Sequence, residues 1–227
     1  MRTLPASPAG PVADKAALAR LGERVRRRLA DDAAVYRIAA EGVELFAVAD
    51  FLAARECEYL IAMIERVAAP SKLFDPDNPL RYRTSYSGDV DAGDSFVRMI
   101  ERRLADLLGL DSAHGECIQG QRYLPGQEFQ AHFDWFDTAA SYWPKEAKGG
   151  GQRSWTAMAY LNTVDEGGET DFPDLGLSIP PQRGALLLWN NARADGTPNP
   201  LTRHAGKPVL QGAKYIVTKW FRTRAWR

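Results

Sequence analysis

Apolar positions along the first half of the chain recur with a helical period. From Asp14 to about Ala30, Leu18, Leu21, Val25 and Leu29 fall every three or four residues, which puts them on one face of a helix with the arginines opposite. The basic run Arg24 and Arg26 to Arg28 reads as the solvated face of that helix rather than a binding patch. Val43 to Val48 reads as a strand. Asp50 then precedes a second helical pattern (Leu52, Cys57, Leu60, Ile61, Ile64, Val67) that Pro70 ends. Residues 71–80, SKLFDPDNPL, read as a loop, Arg81 to Ser87 as a strand, and Asp94 to Leu108 as an amphipathic helix stopped by Gly109. From Glu116 the texture changes to short runs separated by Gly, Pro, Asn and Asp: CIQGQRYL, EFQAHFDWF, SWTAMAYLN, GETDF, GLSIP, GALLLWN and AKYIVTKWF. That spacing predicts an antiparallel sandwich or barrel rather than alternating strand and helix units. The fold class expected is α+β: helices first, then a β-rich half able to form a jelly roll with an open mouth.

Length and composition narrow this to one domain with an extension. The 227 residues are 45% hydrophobic, enough for one substantial core. Residues 1–13, rich in Ala and Pro, are expected to be disordered, 14–42 to form an N-terminal helical extension, and 43–227 to form the main domain. The formal net charge of +0 gives no general attraction to nucleic acid or to an anionic membrane, and neither is expected as a partner. No apolar run suits a signal-peptide core or approaches the roughly 20 residues of a membrane-spanning helix. A cytoplasmic protein is expected, with Cys57 and Cys117 free and reduced.

Chemistry is concentrated around two of the three histidines, His132 and His204. His132 and Asp134 stand one residue apart in EFQAHFDWF, and a strand's period of two places both on one face, with Phe133 on the other. An imidazole and a carboxylate so placed can take two corners of an octahedral metal, and His204 is the candidate for a third. Such a set leaves positions for a bidentate oxo acid and dioxygen and favours Fe(II) over hydrolytic zinc. The H-x-D pair alone is more often a hydrogen-bonded pair, so further residues have to carry the reading. Lys214 follows His204 by ten residues, and alternation puts Lys214, Ile216, Thr218 and Trp220 on one face, too apolar to be solvated. A lysine turned inward needs an anion, and the far carboxylate of 2-oxoglutarate would supply it.

These blocks resemble the prolyl 4-hydroxylase type of Fe(II)/2-oxoglutarate dioxygenases from about Val48 to Trp220. The similarity lies in VADFLAARECEYLI, RTS at Arg83 to Ser85, RYLPGQEFQAHFD, GGQRSWTAMAYLN, EGGETDFP and RHAGKPVLQGAKYIVTKWF. The resemblance implies a double-stranded β-helix (jelly roll) core with N-terminal supporting helices. It implies iron on His132, Asp134 and His204, and 2-oxoglutarate paired through its C5 carboxylate with Lys214 and held by Tyr123 and Thr170. Arg83, Arg153 and Trp220 match positions that border the substrate in similar enzymes. Structural roles for the latter two, an ion pair and core packing, stand beside that. The implied reaction is hydroxylation of a prolyl residue in a peptide or protein, with O2 consumed, 2-oxoglutarate decarboxylated to succinate and CO2, and ascorbate a candidate reductant. A homodimer is compatible with it. The alternatives are the same iron chemistry on a free amino acid or other small molecule, and a non-catalytic peptide-binding module on the same fold. One departure is Phe129, three residues before the first metal His, where similar enzymes often carry a substrate-facing Tyr. The segment TAASYWPKEAKGGG, 138–151, has the composition of either a mobile lid or a plain surface loop.

Overall fold

The computed structural model describes residues 12–71 and 83–226. Residues 1–11 of the disorder expected over 1–13, most of the loop expected over 71–80 and the first two residues of the strand expected from Arg81 lie outside them.

Three helices come first. Helix α1 (Lys15–Ala30) starts at Asp14, whose carboxylate accepts the Ala17 N–H at 2.9 Å, and buries the expected stripe of Leu18, Leu21, Val25 and Leu29. Short strands β1 (Tyr36–Arg37) and β2 (Leu45–Val48) follow. Helix α2 (Ala54–Val67) ends three residues before Pro70, where the chain extends into β3 (Ala69–Pro70). Strand β4 (Tyr86–Asp89) lies further along than the Arg81 to Ser87 expected. Helix α3 (Ser95–Leu108) is capped by Asp94, which accepts from Phe96 and Val97, and stops at Gly109, whose φ of 63° is open to glycine without strain.

The remaining elements are β5 (Gln119–Tyr123), β6 (Phe129–His132), α4 (Trp143–Lys148), β7 (Arg153–Tyr160), β8 (Glu166–Gly167), β9 (Thr170–Phe172), β10 (Leu177–Ile179), β11 (Leu186–Asn190), β12 (His204–Gly206), β13 (Val209–Gln211) and β14 (Lys214–Arg222). Among the described residues they form an eight-stranded sheet in the order β1-β2-β11-β7-β14-β5-β4-β3, a four-stranded sheet β10-β9-β12-β6, and the pair β13-β8. Every pairing between named strands is antiparallel, as the spacing of the turns predicts.

The molecule has three layers, because the large sheet is covered on both faces. Leu186, Leu188, Ala157, Val217 and Phe221 pack against the helices, while Leu187, Trp189, Met158, Tyr160 and Ile216 face the small sheet. Central strands of this kind read as continuous apolar runs, which is how GALLLWN and AKYIVTKWF appear in the sequence. Gly120 lets α2 approach β5, since a Cβ there would come within 2.3 Å of the Ile64 side chain. The two-layered β core behind supporting helices is the expected α+β jelly roll.

One reading changes. EFQAHFDWF is not one strand: β6 ends at His132 and the chain bends through Asp134. Residues 138–151, expected as either a lid or a surface loop, carry α4 and are bonded to the end of β14. Trp143 is buried, and Arg222 donates to the carbonyls of Gly151 (2.8 Å) and Glu146 (2.9 Å) and to the Glu146 carboxylate (3.0 Å). The Thr223 hydroxyl adds a bond to the Gly150 carbonyl.

That anchor belongs to a buried charge cluster. Arg153 makes two bonds of 2.7 Å to the Glu116 carboxylate, and Arg222 a third at 2.9 Å. Burial opposes the charged carboxylate, but the two guanidinium groups more than offset it and hold the Glu116 pKa below its ordinary value. Removing the shared acid leaves two arginines unbalanced. Glu116→Ala is expected to lower the unfolding free energy by about 3 kcal/mol, measured from the urea midpoint at unchanged slope; a variant as stable as wild type would show that the arginines are satisfied without it.

Candidate metal and co-substrate site

The site lies between the two sheets. His204 opens β12 and stands directly opposite His132, the last residue of β6, in the antiparallel register. Directly opposed residues bring their side chains to one face, and the two imidazole centroids are 4.3 Å apart. Each ring has its Nδ1 2.9 Å from the backbone carbonyl two residues earlier, Gln130 for His132 and Thr202 for His204. A carbonyl can only accept, so each Nδ1 carries the proton and each Nε2 presents a lone pair.

Asp134 reaches the same point from the bend. Its Oδ1 is 3.9 Å from His132 Nε2 and its Oδ2 3.8 Å from His204 Nε2. One donor atom from each residue lies within 4.8 Å of the others, and the three form a group able to hold a metal ion among the described residues. The bend is fixed by the start of β7. Gln152 donates to the Phe136 carbonyl (2.8 Å) and accepts from its N–H (2.7 Å), Arg153 donates to the Asp134 carbonyl (3.2 Å), and the Thr156 hydroxyl donates to Asp134 Oδ2 (2.8 Å).

The electrostatics suit a cation. Burial, followed by the neighbouring His204, pushes the His132 pKa down to about 3, so the ring is neutral and free to coordinate across ordinary pH. Burial works against ionised Asp134, yet its neighbours His204, His132 and Arg153 and the Thr156 hydrogen bond bring its pKa below the usual carboxylate range.

Next to these donors is a cavity with about 410 Å³ of empty space, part of it open to solvent. Lys214, Ile216, Thr218 and Trp220 all line it, as the alternation along β14 requires. Lys214 is 1% exposed. Among the described residues its ammonium has no hydrogen-bond or ion-pair partner and lies 5.3 Å from the Tyr123 ring centroid, with Tyr123 its partner in register on β5. Burial pulls its pKa down to about 7, offset in part by the charge of Glu169. His204 and Lys214 sit on facing sheets and line the same cavity. Tyr123 donates to Gln121 (2.8 Å), and Thr170 accepts from Tyr160 (2.7 Å), so the Thr170 hydroxyl proton is left for another acceptor. Trp189 and Trp220 also line the cavity, and their buried indole N–H groups have no partner among the described residues. A buried ammonium and surplus donors fit a small dianion, and the His-Asp-His set fits ferrous iron.

Arg83 and Phe129 border the same cavity, where Phe129 stacks on His132 at 3.5 Å between centroids and the Arg83 guanidinium lies 4.7 Å from the Phe129 ring. The Phe129 ring itself therefore lies over the His132 imidazole. Arg153 does not line the cavity; its guanidinium stacks on Trp220 at 3.9 Å and backs Asp134. Thr156, Gln152, Asn191 and Glu116 escaped the sequence reading. The one available signal was a polar Thr156 at the same alternation as Met158 in an apolar strand.

This fold and donor set define the class of 2-oxoglutarate-dependent, non-haem Fe(II) oxygenases. Residues 118–222 match the family model of the 2OG-Fe(II) oxygenase superfamily. The chain is 34% identical over 199 residues to probable prolyl 4-hydroxylase 3 of Arabidopsis thaliana, covering 77% of this chain and 68% of that protein. It is similar to the 2OG complex of a viral collagen prolyl hydroxylase from Paramecium Bursaria Chlorella virus-1, with a TM-score of 0.62, 29% identity, and coverage of 78% of this chain and 95% of the other. A prolyl hydroxylase from Trichoplax adhaerens, in complex with a hypoxia inducible factor peptide fragment, shares the fold at TM-score 0.61 and 15% identity, covering 91% of this chain and 90% of the other. The chain belongs to the prolyl 4-hydroxylase family and is a 2-oxoglutarate-dependent dioxygenase.

Lys214 gives a thermodynamic signature. Above pH 7 the folded, metal-free protein holds it neutral, whereas the unfolded chain keeps it charged up to its ordinary pKa of about 10.4. Unfolding then takes up a proton, so this contribution falls as pH drops from about 10 to about 7 and is constant below. Lys214→Met is expected to remove that slope, seen as a smaller difference between urea midpoints at high and neutral pH. An unaltered pH dependence would place the lysine in water.

Proposed function

We propose that this protein hydroxylates prolyl residues of a peptide or protein, with Fe(II) on His132, Asp134 and His204 and with 2-oxoglutarate on Lys214, Tyr123 and Thr170. The observation that carries the reading is a single cavity lined by both the His-Asp-His donors and a buried ammonium without an anion. With iron and 2-oxoglutarate bound, dioxygen would be the oxidant: one oxygen atom would go into the substrate C–H bond and the other into succinate, with two electrons from 2-oxoglutarate and CO2 released.

The chain's own residues prepare that reaction. His132 stays neutral, both imidazoles are oriented through their Nδ1–H bonds, and Asp134 carries the negative charge of the donor set. Lys214 is charged by the arriving dianion: the co-substrate carboxylate replaces the missing partner and raises the lysine pKa again. Thr170 donates its free hydroxyl proton to the same ligand, while Met158 and Ile216 keep water from the cavity walls. At the substrate side, Trp220 and the Arg83–Phe129 stack form the border that a peptide meets, and Arg153 holds Trp220 from behind. The two free cysteines support a reducing compartment, the cytoplasm. Among the described residues no helix is long and apolar enough to cross a membrane.

Two measurements test this. Proline-containing peptides incubated with the protein, Fe(II), 2-oxoglutarate and ascorbate are expected to gain the mass of one oxygen atom, with one succinate released per peptide modified. His132→Ala and His204→Ala should abolish both signals, and unchanged 2-oxoglutarate turnover in either variant would overturn the iron assignment. Calorimetry at pH 8 in buffers of differing ionisation enthalpy should show proton uptake when 2-oxoglutarate binds to the anaerobic Fe(II)-loaded protein, with affinity falling as pH rises above about 7. Uptake that persists in Lys214→Met would assign the proton to another group.

A further inference from the structure

Behind Asp134 stands a polar chain that neither the metal set nor the co-substrate pocket includes. Thr156 is wholly buried on β7 and donates to Asp134 Oδ2 at 2.8 Å, while Asn191 Nδ2 donates to Thr156 Oγ1 at 2.9 Å. A threonine hydroxyl has one proton, and here it goes to the carboxylate, so the amide of Asn191 must face Thr156 with its NH2 group. That orientation leaves Asn191 Oδ1 buried without a partner among the described residues. An orphaned buried amide oxygen is unfavourable, because it has given up water for no other donor. The Asn191 backbone beneath it is held on both sides: its N–H donates to the Ser154 carbonyl (2.8 Å) and its carbonyl accepts from Asn199 N–H (3.0 Å).

The two oxygens of Asp134 are almost equally placed towards the imidazoles, at 3.9 and 3.8 Å, so position alone does not decide which of them meets a metal. The hydroxyl does. A hydrogen bond occupies a lone pair of Oδ2 and withdraws charge from it, leaving Oδ1 as the better donor. We propose that Thr156, oriented by Asn191, is a positioning residue of the metal site: it reserves Oδ2 for the protein so that Asp134 engages the ion through Oδ1 alone. A carboxylate that chelated through both oxygens would fill one more coordination position, the kind of vacancy a bidentate oxo acid and dioxygen require. This inference rests on the proposed assignment of iron to His132, Asp134 and His204, and concerns residues that the assignment leaves out.

The test uses cobalt(II) alone as a probe of the full-length, metal-free protein, read by its visible d–d absorption and its dissociation constant. Thr156→Ser keeps the hydroxyl and is expected to match wild type in both. Thr156→Val keeps the shape, loses the donor, and should weaken cobalt binding on the order of tenfold with an altered d–d spectrum. Asn191→Ala should move both readings in the same direction. Wild-type affinity and spectrum in Thr156→Val overturn the inference; should that variant not fold by circular dichroism, Asn191→Ala decides in the same terms. Failure of the wild-type protein to bind cobalt would instead sink the metal assignment itself, so the two failures are distinguishable.

Discussion

The site depends on one strand pairing and one bridge. His132 and His204 face each other because β6 and β12 are antiparallel and in that register, and a slip of one residue would send one imidazole to the opposite face of the small sheet. The bridge is Asp134. It leaves the small sheet at the end of β6 and is held by Thr156 and Arg153 of β7 in the large one. The packing of the two sheets and the geometry of the donor set thus rest on the same contacts.

Charge is managed differently on the two sides of Asp134. On one side, Glu116 sits between Arg153 and Arg222, and Glu146 takes a further bond from Arg222, so buried cations and anions balance and the segment carrying α4 is tied down. On the other, Lys214 is buried with no counter-ion in bonding distance among the described residues, a placement that disfavours its charged form until a ligand arrives. Balanced charges hold the scaffold; the unbalanced one marks where a dianion fits. Trp220 touches both regions, since it lines the cavity on one face and carries the Arg153 guanidinium on the other.

Much of this was legible from residue order. The helical stripe of α1, the caps at Asp14 and Asp94 and the stop at Gly109 follow from local rules, and the inward face of β14 followed from alternation. The reading failed where long-range contacts override local period. EFQAHFDWF looks like an unbroken strand, yet it breaks after His132, and Gln152 and Arg153 take up backbone hydrogen bonds of Phe136 and Asp134 that a ladder would otherwise use. Residues 138–151 look loose by composition, yet Arg222 satisfies their carbonyls from more than seventy residues away.

The sequence by itself determined the elements, the family, and which side chains had the chemistry to bind a metal and an anion, because helical and strand periods and donor types are properties of nearby residues. Only the tertiary structure decided that Asp134 meets the histidines from a bend, that Lys214 faces them from the opposite sheet, and that Thr156 and Asn191 stand behind the carboxylate. Those relations join strands distant in the chain, and nothing in a local pattern encodes which buried hydroxyl will end up beside which acid.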